Sequence, residues 1–210
     1  MDIISPAEIE KTSFAMIGEQ LGDRQLNPDY QSIIKRVIHT TADFDYADNL
    51  VFSDGVAELA KSVLKGGANL VTDTKMAQAG INKKALEQLG CSVNCFIDAP
   101  EVAEQARATG VTRARVAVDY AVQNLSDPII FVVGNAPTAL IRLYELIVSG
   151  TFKPALIIAV PVGFVNVVES KEMILELDVP SIVARGQKGG SNVAAAICNA
   201  LLYETTERSL

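Results

Sequence analysis

The chain has 210 residues, 49% of them hydrophobic, and 18 Lys and Arg against 25 Asp and Glu give it a net charge of −7. That length and apolar content suit one domain around one core, and so acidic a chain does not suit nucleic acid or an anionic membrane surface. No basic and apolar leader opens it, its longest apolar runs fall well short of a membrane span, and three cysteines without metal-site spacing predict reduced thiols in the cytoplasm.

The first 67 residues read as a helical extension. Ser5 before Pro6 has the form of an N-cap followed by proline in the first turn. Ile9, Phe14, Ile17 and Leu21 keep an approximate helical period that Gly22 ends. A second helix is predicted to open at Asn27-Pro28, with Tyr30, Ile33, Ile34, Val37 and Ile38 apolar. A third opens at Ser53-Asp54, carries Val56, Leu59, Ala60, Val63 and Leu64, and stops at Gly66-Gly67.

From Asn69 strands and helices alternate. Strands are predicted at 69–72, 92–97, 129–133, 156–160 and 181–184, short and rich in Val and Ile, as expected for strands buried on both faces. Helical stretches separate them at 83–89, 100–109 with 113–125, 136–149 and 166–177, and one more follows at 191–204. The pattern predicts an α/β chain with a flavodoxin-like, doubly wound three-layer sandwich over residues 68–210. Its five-stranded parallel sheet takes the order 2-1-3-4-5, and the whole chain forms a single domain. Cys91 and Cys95, four apart on a strand, would lie roughly 13 Å apart, too far for a disulfide.

Open sheets of this kind bind ligands beyond the carboxyl ends of their strands, and the polar turns fall there. Thr72, Asp73, Thr74 and Met76 follow the first strand of the sheet. Asn135 and Thr138 follow the third, in Gly-Asn-Ala-Pro-Thr. Lys188 and Ser191 follow the last, in Gly-Gln-Lys-Gly-Gly-Ser. Hydroxyls, helix N–H groups and a lysine can hold carboxylates or phosphates; the same residues also serve as caps and turns. The last turn matches neither GxxxxGK[ST] nor GxGxxG. His39 is the only histidine, and its ordinary pKa suits proton transfer. Arg36 lies three residues before it, and Asp43 would share its face and orient the ring if the helix continued. Arg107, Arg113 and Arg115 lie around the extra helices, where most arginines are simply solvated.

Taken together, RVIHTTADFD around His39, TDTKMAQAG, GNAPTAL, PVGFVNVVESK and GQKGGSNVAAAICNAL resemble the precorrin-8X methylmutase family with its cobalt-precorrin counterpart, in order along essentially the whole chain. The resemblance implies a corrin-ring isomerase that moves a methyl group between adjacent ring carbons to give hydrogenobyrinate or cobyrinate. It implies no cofactor or protein-bound metal, a tetrapyrrole polycarboxylate as substrate, and a homodimer with the site near the subunit contact. The family's essential histidine falls on His39, and its substrate-contacting Ser and Arg residues fall on Ser13, Arg36 and Arg113. Met76, Pro161, Val162 and Phe164 are candidates for an apolar wall against the macrocycle. Two other readings stand beside this one: a flavin- or nucleotide-binding domain, marked by bound chromophore or nucleotide, and a corrinoid carrier, which would bind product without needing His39.

Overall fold

The segment Ile129–Val133 is buried at every position, and its side chains divide by parity, as the period of a strand requires. Ile130 and Val132 enter one core with Leu70, Ile158 and Ile182. Ile129, Phe131 and Val133 enter another with Val71, Ile157 and Val183. The sheet is therefore apolar on both faces and must be covered on both. The computed structural model describes residues 6–126 and 128–206, with side chains from Glu8 onward; the cap expected of Ser5 lies outside them. In chain order the elements are α1 (Pro6–Leu21), α2 (Gln31–Thr41), α3 (Tyr46–Asn49), β1 (Leu50–Phe52), α4 (Val56–Lys65), β2 (Asn69–Thr72), α5 (Lys75–Gly80) and α6 (Lys83–Gln88). They continue with β3 (Ser92–Asn94), α7 (Pro100–Thr109), α8 (Arg113–Asn124), β4 (Ile129–Val133), α9 (Pro137–Val148), β5 (Leu156–Ala159), α10 (Val167–Leu175), β6 (Ser181–Ala184) and α11 (Ser191–Thr205).

The sheet order is β1-β6-β5-β4-β2-β3. Strands β2 to β6 are parallel and reproduce the expected 2-1-3-4-5 order of a flavodoxin-like, doubly wound fold. The sheet has six strands rather than five: β1, inside the helical extension, pairs antiparallel with β6, Val51 opposite Val183. Three residues carry too little periodicity to announce a strand, and its partner strand lies far along the chain, with Phe52 opposite Ile182. Helices α4, α5 and α6 gather around α11, while α8, α9 and α10 pack side by side in the other helical layer.

Two helix starts differ from expectation. Asn27 forms a turn instead of opening a helix, its side chain accepting from Asp29 N at 3.0 Å and its carbonyl from Tyr30 N; α2 begins at Gln31. Ser53 anchors the sheet edge, its Oγ accepting from Ser181 N at 2.9 Å, so α4 begins only after the left-handed Gly55. The strand expected over 92–97 stops at Asn94, because Phe96 and Ile97 leave the sheet to pack into the second core.

Helix α2 packs along α11, and α1 packs on α2. Ser32 bonds Glu204, Arg36 lies over the Tyr203 ring, and Asp43, just past the helix, reaches Lys188. Hence α2 runs antiparallel to α11. Its C-terminus, and His39 with it, lies beside the start of α11 at the carboxyl end of the sheet. No helix among the described residues is long and apolar enough to cross a membrane.

Candidate active site

Helix α2 is strongly amphipathic: Ile33, Ile34, Val37 and Ile38 are buried, which leaves Arg36 and His39 on the side that meets α1. His39 is exposed in the last turn of α2. Its imidazole stacks on Phe14 with ring centroids 5.3 Å apart and planes at 26°. It opens into a groove of about 240 Å³ lined by Ser13, Met16, Gln20, Ala42 and Phe44, with Ile17 and Ile38 beneath. Ser13 is half-buried and its hydroxyl donates to Ile9 O at 2.8 Å. Arg36 lies 5.1 Å from the Phe14 centroid and 4.8 Å from that of Tyr203. Its guanidinium donates to Glu10 at 2.9 Å, and its side chain is only 11% exposed.

Asp43 does not orient the imidazole. Ala42 adopts a left-handed conformation, φ 55°, and its N–H closes the helix on Ile38 O at 2.7 Å. The chain therefore turns away before Asp43. That carboxylate instead accepts from Lys188 Nζ at 2.6 Å, and Asp45 accepts from the same ammonium at 2.7 Å. The hydrogen bond from Lys188 is the main reason the Asp43 carboxyl sits below its ordinary pKa, and the two aspartates raise that of Lys188. Sequence spacing assumes a continuing helix, and a left-handed alanine gives no compositional signal.

Thr72, Asp73, Thr74, Asn135 and Ser191 gather at the switch point between β2 and β4. Asp73 is buried, and its carboxylate accepts from Gly134 N at 2.9 Å, Asn135 N at 2.8 Å and Ala136 N at 2.6 Å. Burial pushes its pKa up against the pull of these amides. It clasps the β4–α9 turn to β2, and the three amides face it rather than a ligand. Thr72 is buried too, its hydroxyl bonded to Thr74 O and Asn94 O. Thr74 caps α5 through Ala77 N and meets Ser191 Oγ at 2.7 Å, which joins the β2–α5 turn to the start of α11. Thr138 meets Thr112 at 2.8 Å. Asn135 and Arg113 are exposed; the hydrogen bond from Lys75 chiefly holds Asp98 low, and the charge of Arg113 adds to it. Met76 is 71% exposed and Phe164 81%, with Val162 and Val165 beside it in sequence also open; Pro161 is buried.

Glycines of the β6–α11 and β4–α9 turns are needed for close approach. A Cβ on Gly189 would lie 2.1 Å from Val160 O, and one on Gly134 would lie 2.8 Å from Ser191 Cα. Two residues of this region escaped sequence reading. Phe14 looks like one more apolar position in a helical period. Lys171, in the ESK of the quoted motif, looks like a surface charge, yet it is fully buried.

A doubly wound α/β sheet with polar turns at its switch point, together with an imidazole exposed in a half-apolar groove, has the features of an enzyme. The family model for precorrin-8X methylmutase matches residues 8–204, and the chain belongs to that family. It is an isomerase of cobalamin biosynthesis, an intramolecular methyl transferase. Among its relatives, the cobalt-precorrin-8 methylmutase of Salmonella typhimurium is 45% identical over 214 residues, covering 98% of each chain. The precorrin-8X methylmutase of Pseudomonas aeruginosa is 37% identical, covering 93% of this chain and 94% of its own. The crystal structure of precorrin-8X methyl mutase from Thermus thermophilus superposes with a TM-score of 0.88 at 37% identity, over 96% of this chain and 99% of that one.

Proposed function

We propose that the substrate is precorrin-8X or cobalt-precorrin-8 and that His39 acts as the acid. The carrying observation is the placement of the single imidazole, exposed in the groove that also holds Ser13. As imidazolium, His39 gives its proton to a nitrogen of the tetrapyrrole beside the shift. The conjugated ring becomes electron-poor at the migration terminus, the methyl group moves to the adjacent carbon, and His39 takes the proton back. Positioned acid–base help of this kind contributes about 10²–10⁴-fold.

The substrate is rich in carboxylates and the protein is acidic, so the site must be basic locally. Arg113 is the exposed cation for this task. Arg36 enters already paired with Glu10, so a substrate carboxylate shares or replaces that partner. Lys188 serves two aspartates and contributes chiefly through the backbone of its turn. Ser13, Thr74, Asn135, Thr138 and Ser191 supply neutral hydrogen bonds, with Thr72 and Asp73 shaping the turns from below. Met76, Val162 and Phe164 form the apolar wall. So much exposed apolar side chain suits cover by a second copy of the chain, and a homodimer would enclose a flat macrocycle that one small domain leaves open. The free thiols of Cys91, Cys95 and Cys198 fit a reducing cytoplasm.

The test is incubation with the metal-free and the cobalt-containing substrate, following the visible spectrum for the corrin chromophore. Sedimentation at assay concentration accompanies it. Product from either substrate by a dimer supports the reading; no product from either overturns the assignment of substrate, and a fully active monomer overturns the dimer.

A further inference from the structure

Lys171 lies in α10 with no exposed surface, and no carboxylate among the described residues lies within salt-bridge distance of it. Its ammonium donates to Gly186 O and to Lys188 O, each at 2.8 Å. A buried charge needs such compensation. Burial pushes its pKa down to about 8 against the opposing charge of Glu172, which is itself paired with Arg185. The turn it holds has few side chains to fix it. Gly186 and Gly190 have positive φ and Gly189 has no room for a Cβ. Backbone bonds complete the hold: Gln187 O accepts from Gly163 N at 3.1 Å, and Gly190 N donates to Val160 O at 2.8 Å. Lys188 leaves this clasped turn and bridges Asp43 and Asp45, the turn that directly follows the helix end carrying His39.

We propose that Lys171 is a positioning residue: by fixing the backbone of Lys188 from inside the protein, it sets the place of the Asp43–Asp45 turn and so the aim of His39 into its groove. Its importance for catalysis rests on the acid role of His39, whereas the mechanical link does not.

Because His39 is the only histidine, tag-free protein gives a single imidazole C2–H resonance, which reads the link without turnover. Lys171→Met, Lys188→Met and the double variant are compared with wild type by that resonance and by kcat and KM. Both single variants should move the resonance and lower kcat about tenfold or more, since small misplacement of a reacting group is costly, with KM changed by less than about threefold. In the Lys188→Met background, adding Lys171→Met should change kcat by less than about twofold, because one linkage is already cut. Multiplying losses in the double variant would overturn the proposal. So would an unmoved resonance in Lys188→Met, an exposed substitution that decides the matter even if Lys171→Met fails to fold. A resonance that moves while His39→Ala retains turnover would leave the link standing and remove only the acid role.

Discussion

Phe14 from α1 and His39 from α2 stack at 5.3 Å between ring centroids, and the same phenyl ring receives the Arg36 guanidinium at 5.1 Å. One apolar side chain thus packs against both the proposed acid and a neighbouring cation. An aromatic face attracts cations electrostatically, and it limits where the imidazole can point. His39→Ala should lower kcat at least ~10²-fold while product still binds with unchanged affinity in a spectral titration. Phe14→Ala should give an intermediate loss in kcat; a rate equal to wild type would show that the stacking does not aim the ring.

Arg36 and Arg113 should separate in experiment. Arg36 is nearly covered and holds an ion pair and two aromatic faces. Arg36→Gln should therefore cost about 1–3 kcal/mol of stability by urea unfolding as well as affinity for product. Arg113 is exposed, so Arg113→Gln should leave stability within about 0.5 kcal/mol and weaken product binding alone. Raising salt should weaken wild-type binding, with a flatter dependence in both variants. Unchanged affinity in both would place the substrate carboxylates elsewhere.

Asp73 holds three amides of the β4–α9 turn. An asparagine presents one oxygen and an NH₂ in its place, so at least one buried donor would face another donor. Asp73→Asn should lose about 1–3 kcal/mol, read from the urea midpoint, and should loosen the turn that carries Asn135. A variant as stable as wild type would mean that the turn has other support.

Two glycines of one turn give an internal control. Gly189→Ala drives a Cβ against Val160 O, which is backbone and cannot swing aside, so it should cost about 3 kcal/mol. At Gly186, φ +78°, a Cβ meets nothing within 4 Å. Gly186→Ala should cost only the left-handed strain, about 1–2 kcal/mol. Equal midpoints in chemical denaturation would contradict the close approach at Gly189.

Acid stability should depend on Glu145. Its pKa is lowered to about 2, first by the hydrogen bond from Arg115 and then by that from Arg142. The folded state thus binds this proton less readily than the unfolded chain does. The stabilisation is complete above pH ~4.5 and is lost as pH falls toward ~2. The side chain is 39% exposed, so solvent screening holds the contribution to about 1 kcal/mol. Glu145→Gln should be less stable than wild type at pH 7, and the gap should close between pH 4.5 and 2. A gap independent of pH would assign the effect to packing.

Much of this molecule was legible in its linear order. Runs such as Ile129–Val133 have no polar position to expose, and a strand buried on both faces follows from that alone. The alternation of such runs with amphipathic stretches dictates a doubly wound sheet, and His39 stands out because no other side chain in the chain titrates at neutral pH without perturbation. The family, too, is readable from five motifs in order. Tertiary structure alone decided the partners. β1 became a strand because β6 offered it an edge. Asp43 turned from His39 to Lys188 because Ala42 ended the helix before it reached Asp43. Asp73 became a clasp and Lys171 an internal tether because folding brought carbonyls and amides within their reach. Periodicity reports what each residue needs, burial or water, over a few neighbours. Which group meets that need depends on contacts between segments far apart in the chain, and these exist only once the layers have packed.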